Sequence, residues 1–354
     1  MSAEPWSGEP CDVFVHGTVF LDIVMTGLGT PPVPGTEVFT AGMGSCPGGI
    51  ANLAVAAGRL GLRTSLSAAF GDDLYGDFCW RTLSQGEGVD LSRSRRFPGW
   101  PTPVTVSMAF SGDRAMVTHM HDTPVGEDAL VGTPPPARAA IAYISPESRA
   151  WRDAARRQGT LIFADVGWDP HERWSPAVLE QLAGCHAFMP NDVEAMAYTR
   201  TDDPEAALRR LADLVPVVTV TSGARGSRAV DGTTGEEAWA PAVPVTAQDT
   251  TGAGDVFDTA FTLGSLRGWP LAERLAFANL CAGLSVQHVG GSLAAPGWGD
   301  ITDWWADVRR SASCGDPAAA ELAGRYGFLD DVLPDGPLRS VRRATTTLSR
   351  ESDA

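Results

Sequence analysis

The stretch Asp249-Thr250-Thr251-Gly252-Ala253-Gly254-Asp255-Val256-Phe257-Asp258-Thr259-Ala260-Phe261 decides the fold. A polar turn leads into three small residues. An acid then opens an apolar run at helical spacing through Val256, Ala260 and Leu263, with Phe257 and Phe261 beside it. The pattern predicts a loop feeding a helix N-terminus, whose unpaired N–H groups and about half a positive charge suit an anion. Glycines let the backbone approach a ligand, and successive N–H groups form a concave nest for oxyanions. Asp255 is the informative residue. A carboxylate repels a bound anion, but beside a transferring phosphoryl group it can take the proton of an attacking hydroxyl. The plain alternative is a Gly-rich connector with an acid in the first helical turn, where acids are favoured anyway.

The rest of the chain narrows the choice. Its 354 residues can bury a large core, as one big α/β domain or two smaller ones. A formal net charge of -16 argues against general nucleic-acid or anionic-membrane binding, although nests and helix ends can still hold a nucleotide locally. The chain contains no Lys, which excludes a P-loop with its GK[ST] and any Schiff-base mechanism. Six scattered cysteines without a C-x-x-C pair argue against a zinc knuckle or redox motif. They read as reduced, mostly buried thiols of a cytoplasmic protein. The N-terminus has neither a basic nor an apolar leader segment, and no apolar run approaches the roughly 18 residues that span a bilayer.

In chain order, residues 12–24 read as a first buried strand with Asp22 at its end, where an open α/β sheet faces its ligand crevice. A short strand is expected over Glu37–Ala41. Gly48-Gly49-Ile50-Ala51-Asn52 then opens a helix whose Leu53, Ala56, Ala57 and Leu60 share a face, with Gly61 as its stop. The glycines allow close approach of a ligand, or simply of helix to sheet, and Asn52 carries both donor and acceptor. GDDLYG (71–76) starts the next helix. PTPVTVSMAF and RAMVTHMH alternate around Ser111-Gly112-Asp113 and predict a β-hairpin with one wet face. His119 and His121 share a face there, without an evident third metal ligand.

From residue 140 onward strands and helices alternate, which argues for a parallel, doubly wound sheet. Glu147, Asp165 and Asn191 follow apolar strands on its ligand side. Asn191 and Glu194 have capping-box spacing. Thr221-Ser222-Gly223-Ala224-Arg225-Gly226 permits a tight turn with exposed N–H groups. Residues 271–287 form a helix with an apolar face through Leu271, Leu275, Ala278 and Ala282, and Asn279 lies within it.

These segments together resemble the ribokinase-like (PfkB) carbohydrate kinases. The match is D-T-x-G-A-G-D at 249–255, GGIANLAVAAGRLG in the N-terminal half, N-x-x-E at 191–194 and T-x-G-x-x-G at 221–226; Thr259 stands where the family usually has a smaller residue. The resemblance covers roughly 12–300. It implies a three-layer α/β/α sandwich with a mostly parallel doubly wound sheet and a small β-sheet lid from about 34–46 and 100–122. It also implies phosphoryl transfer from ATP to a hydroxyl of a small sugar or sugar derivative. By the same resemblance, Asp255 is the base and Gly252, Ala253 and Gly254 form the anion hole. Asp22, Gly48, Gly49 and Asn52 hold the sugar, and Glu147, on the ligand side by its strand-end position, is a further substrate-binding candidate. Asn191, Thr221, Gly223, Gly226 and Asn279 lie along ATP. Glu194 meets Mg2+, and Asp249 and Thr251 border a K+ site that the Gly290–Ser292 loop could complete. The lid is often a homodimer contact. A nucleoside or vitamin-like alcohol as acceptor, or a non-catalytic sensor on the same fold, stays open at this point; a dinucleotide dehydrogenase does not fit, because no G-x-G-x-x-G follows the first strand. The domain reading is an N-terminal tail (1–11), a kinase domain (12–312) and a partly disordered C-terminal extension (313–354) with a helix near 317–333.

Overall fold

A computed structural model describes residues 10–335 apart from 111, 112, 148, 168 and 170. In chain order, β1 (Cys11–His16), β2 (Val19–Leu28), β3 (Gly42–Gly49), α1 (Ala51–Arg59), β4 (Thr64–Ser67), β5 (Ala69–Gly71) and α2 (Leu74–Arg81) come first. There follow β6 (Arg95–Phe97), β7 (Val104–Phe110), β8 (Asp113–His119), α3 (Glu127–Val131), β9 (Ala137–Tyr143), α4 (Ala150–Arg157), β10 (Leu161–Asp165), α5 (Ala177–Glu180) and β11 (Ala187–Phe188). The last part holds α6 (Asp192–Thr199), α7 (Pro204–Ala212), β12 (Val217–Thr221), β13 (Ser227–Asp231), β14 (Glu236–Ala240), α8 (Ala253–Leu266), α9 (Leu271–Ser285), α10 (Trp298–Ser313), α11 (Pro317–Arg325) and α12 (Leu329–Val332).

Among the described residues the main sheet runs β14-β13-β12-β11-β10-β9-β1-β4, parallel from β12 to β4, with β13 and β14 antiparallel at one edge. Strand period two sorts its apolar residues onto two faces. Val13 and Val15 of β1, with Ala139 and Ile141 of β9, join the core under α1, α8, α9 and α10. Phe14, Ala140 and Ala142 point the other way, into the core under α4–α7. This is the α/β/α sandwich that the alternation of strands and helices predicts. From β1 the chain goes to β4 on one side and later to β9 on the other. The strand order therefore reverses between β1 and β9, the place where open α/β sheets bind ligands at their C-terminal ends.

The small sheet, β3-β2-β7-β8, contains the predicted hairpin, whose Ser111 and Gly112 lie outside the described residues. It also corrects two strand expectations. Residues 12–24 are two strands in two sheets, split at Gly17-Thr18, so Asp22 lies mid-strand in β2 and not at the end of β1. The strand near 37–41 instead occupies Gly42–Gly49, and Gly48 and Gly49 end this strand while α1 begins at Ala51. A Gly- and Pro-rich segment has poor intrinsic strand preference. Here it pairs as an edge strand, where Pro47 is tolerated.

Position 312 falls within α10, and α11 and α12 continue the body, with Tyr326 and Leu329 fully buried in the larger core. The fraying expected over 334–354 falls almost wholly outside the described residues. Among the described residues no helix is long and apolar enough to cross a membrane.

Candidate active site

Gly252 adopts the left-handed conformation, φ 75°, as the N-cap of α8, and no side chain caps the helix. The first-turn N–H groups of a helix lack intrahelical acceptors; the Ala253 N–H turns back 3.3 Å to the Thr250 carbonyl. A Cβ at Gly254 would meet nothing within 4 Å, so the space beside this residue is open. A Cβ at Gly252 would lie 3.1 Å from the Asn52 side chain, so glycine serves both the turn and this contact.

Asn52, in the first turn of α1, donates from Nδ2 to Asp255 Oδ2 at 2.8 Å, across 203 residues of chain. Its Oδ1 is buried without a partner. The other carboxylate oxygen of Asp255 accepts the hydroxyl of Tyr143, the last residue of β9. Although 37% of Tyr143 is exposed, its hydroxyl end is crowded by protein; burial first, then the Asp255 charge, pushes its pKa up. Tyr143 was not anticipated. Its signal is its place at the end of a buried apolar strand beside the switch point, four residues before Glu147.

Asp22 and Gly48 face each other across β2 and β3, where Asp22 pairs with Cys46. A Cβ on Gly48 would sit 1.9 Å from Asp22 Oδ2, so the missing side chain is what makes room for this carboxylate, which is 6% exposed. Gly49, φ 61°, closes against the Thr18 carbonyl. Gly291 and Thr251 reach the same point: a Cβ on Gly291 would lie 3.5 Å from Thr251 Cγ2 and 3.6 Å from Asn52 Oδ1. Asp249 accepts the Thr251 N–H at 2.9 Å and the Gly290 N–H at 3.2 Å, tying the two loops together.

On the β10–β12 side, Asn191 and Glu194 form the full capping box, each side chain accepting the other's backbone N–H at 3.0 Å. Asn191 bridges to Thr221, which places the N-x-x-E helix beside the 221–226 turn. Gly223 and Gly226 both have positive φ; a Cβ on Gly226 would strike the Ala240 carbonyl, whereas one on Gly223 would meet nothing. Arg225, its side chain 74% exposed, pairs with Asp192. Asp258 is buried, and half-buried Asp165 lies beside it. Burial first, then the charges of Glu194 and Asp255, push the Asp165 carboxyl well above the usual range, and burial first, then the charges of Asp165 and Asp255, do the same for Asp258. Burial likewise raises Glu194. Asp258 was also missed; an acid in an otherwise apolar helical run, three residues after Asp255, was its signal.

Two candidates stand apart. Glu147 is held by Ser145 at 2.8 Å and by Arg149, with no contact to the Asp255 group. Asn279 is buried and gives its amide to the Ala240 and Pro241 carbonyls, fastening α9 to the end of β14. Among the described residues no three His, Cys, Asp or Glu side chains form a metal cage. Hard carboxylates gathered around Asp165, Glu194 and Asp255 nevertheless fit Mg2+, which keeps several waters and is usually held by one or two carboxylates plus substrate phosphates. The open, uncapped helix start fits a phosphate.

An α/β/α sandwich carrying an acid directly behind a glycine nest at the switch point defines the class of ribokinase-like phosphotransferases. A family model described as pfkB family carbohydrate kinase matches residues 40–297, and the chain belongs to that family of enzymes, whose chemistry implies ATP and Mg2+. The chain is 31% identical to a fructokinase of Klebsiella pneumoniae over 280 residues, covering 71% of this chain and 89% of the relative. It is 29% identical to a nucleoside kinase of Methanothermobacter thermautotrophicus, covering 82% and 94%. In fold it is similar to a ribokinase of Arabidopsis thaliana complexed with ribose and ATP, with a TM-score of 0.67 at 23% identity, covering 83% of this chain and 98% of that one.

Proposed function

We propose that this protein transfers the γ-phosphoryl group of ATP to a hydroxyl of a small sugar or sugar derivative. The observation that carries the reading is Asp255, held by Asn52 and Tyr143 at the start of the uncapped helix α8. Asp255 takes the proton of the acceptor hydroxyl, and the 252–254 amides face the charge developing on the phosphoryl oxygens. Asp22, in the niche left by Gly48, and Gly49 and Asn52 orient the acceptor. Asn52 Oδ1, buried without a partner, supports a ligand donor at that point. Thr221, Gly223 and Gly226 line the nucleotide with Asn191, and Asn279 holds the wall behind it. Asn191 and Glu194 would hold Mg2+, which would supply charge neutralisation for the polyphosphate. K+ is assigned to Asp249 and Thr251. The exposed Met43, Met116, Val117 and Met120 on and beside the small sheet support its use as a homodimer contact.

The test is a panel of sugars and nucleosides assayed for acceptor-dependent ADP release from MgATP. Turnover of a sugar, lost by about 10² or more in kcat in Asp255→Asn, is the expected result. Turnover confined to nucleosides rejects the sugar assignment, and ligand binding without turnover on any acceptor rejects the enzyme reading.

A further inference from the structure

A cleft of about 390 Å³, counting its open mouth, lies between α4 and the segment joining α5 to β11. It shares no lining residue with the group around Asp255. Arg149, Arg152 and Arg156 line it as one stripe at spacings of three and four along α4. Two of them have carboxylate partners: Arg149 pairs with Glu127 at 2.7 Å and Arg156 with Asp153 at 3.3 Å. Arg152 differs. Its residue is 7% exposed, its Nε is buried without a hydrogen-bond partner, and Nη2 reaches only neutral acceptors, the Glu147 carbonyl at 3.3 Å and Gln181 Oε1 at 3.4 Å.

A guanidinium stays charged at any ordinary pH, so this is a buried cation with no carboxylate in direct contact: Glu127 and Asp153 act on it only at a distance and are themselves paired with Arg149 and Arg156. Arg156 lies close by because Gly184 lacks a side chain; a Cβ there would sit 1.6 Å from Arg156 Nη1. The Arg fork matches the paired oxygens of a phosphate, and a stripe of such forks suits a dianion better than a single carboxylate. Long-range attraction cannot gather anions on a chain of net charge -16, so recognition must be local.

We propose that this cleft is a second anion site, separate from the catalytic one, that takes a small phosphoryl-bearing anion between Arg152, Arg156 and Gln181. The anion is inorganic phosphate or the phosphate group of a metabolite. Glu180, the unpaired acid on the rim, weakens the site and sets its affinity.

Calorimetric titration of the full-length protein with inorganic phosphate tests this, at constant ionic strength and with the nucleotide site saturated by a non-hydrolysable ATP analogue and Mg2+. One saturable phosphate is expected. Arg156→Gln should weaken it at least about 10-fold, the scale of a lost charged hydrogen bond, and leave the KM for ATP unchanged. Glu180→Gln should tighten it. Arg152→Gln should abolish it; should that variant fail to fold, Arg156→Gln and Gly184→Ala, which displaces the Arg156 fork, carry the decision. Tighter binding of glycerol phosphate than of inorganic phosphate identifies the metabolite, and the reverse identifies free phosphate. Phosphate binding that vanishes when the nucleotide site is filled, or that is equal in wild type and Arg156→Gln, overturns the proposal, as does the absence of binding.

Discussion

Gly48→Ala should reproduce much of the effect of deleting Asp22, without touching Asp22 itself. The added Cβ would lie 1.9 Å from Asp22 Oδ2, against an ordinary contact distance of about 3.5 Å. The carboxylate must therefore retreat by about 1.6 Å, which is enough to break a hydrogen bond whose useful range is about 0.5 Å. Gly48 does not have positive φ, so its backbone accommodates alanine. If Asp22 binds an acceptor hydroxyl, losing that charged hydrogen bond costs about 1.5–3 kcal/mol, or about 10- to 150-fold in the KM of the acceptor. The KM of ATP should change little. Because both substitutions remove the same contact, the double variant Asp22→Ala/Gly48→Ala should be no worse than Asp22→Ala alone. Steady-state kinetics with each substrate varied in turn, and a melting curve to verify folding, provide the readout. A wild-type acceptor KM in Gly48→Ala, additive losses in the double variant, or equal effects on both substrates would refute the reasoning and leave Asp22 a structural carboxylate.

Tyr143→Phe removes a donor to Asp255; kcat should fall by about 10-fold or more, and the acid limb of the pH–rate profile should move to higher pH, because a donor favouring the ionised carboxylate is gone. An unmoved profile would mean that the hydroxyl only packs there. The raised Asp165 and Asp258 carboxyls give a stability prediction. Their folded pKa values lie above the unfolded ones, so their stabilising share is complete below the ordinary carboxylate range and is lost as pH rises through the raised values. Asp258→Asn should therefore raise the melting temperature more at pH 8 than at pH 5, and an equal change at both would show that the pair does not titrate in this way. Potassium should activate the enzyme when titrated against choline chloride at constant ionic strength, and Asp249→Ala should abolish the response; the expected loss without K+ is about 10², the scale of one misaimed anion-hole donor. A flat titration would leave Asp249 as the tie between the 251 and 290 loops.

Local patterns in the sequence determined a good part of this protein. The Gly252–Asp255 turn into α8, the Asn191–Glu194 cap and the β7–β8 hairpin each depend on residues a few positions apart, so spacing and side-chain chemistry suffice to read them. The parallel sheet was legible for a similar reason, since strands buried on both faces are apolar throughout. Tertiary structure alone decided the partnerships. Nothing local distinguishes an apolar run of one strand from two strands in different sheets, and pairing with β3 and β7 is what moved Asp22 into the small sheet. The segment 42–49 is a strand because β2 supplies its hydrogen bonds, against its own Gly and Pro content. Asn52 and Tyr143 meet Asp255 across 203 and 112 residues, and Asp165 meets Asp258 from another layer. Such contacts arise when the strand order reverses between β1 and β9 and brings distant strand ends to one crevice, a property of the packed sheet that no single segment carries.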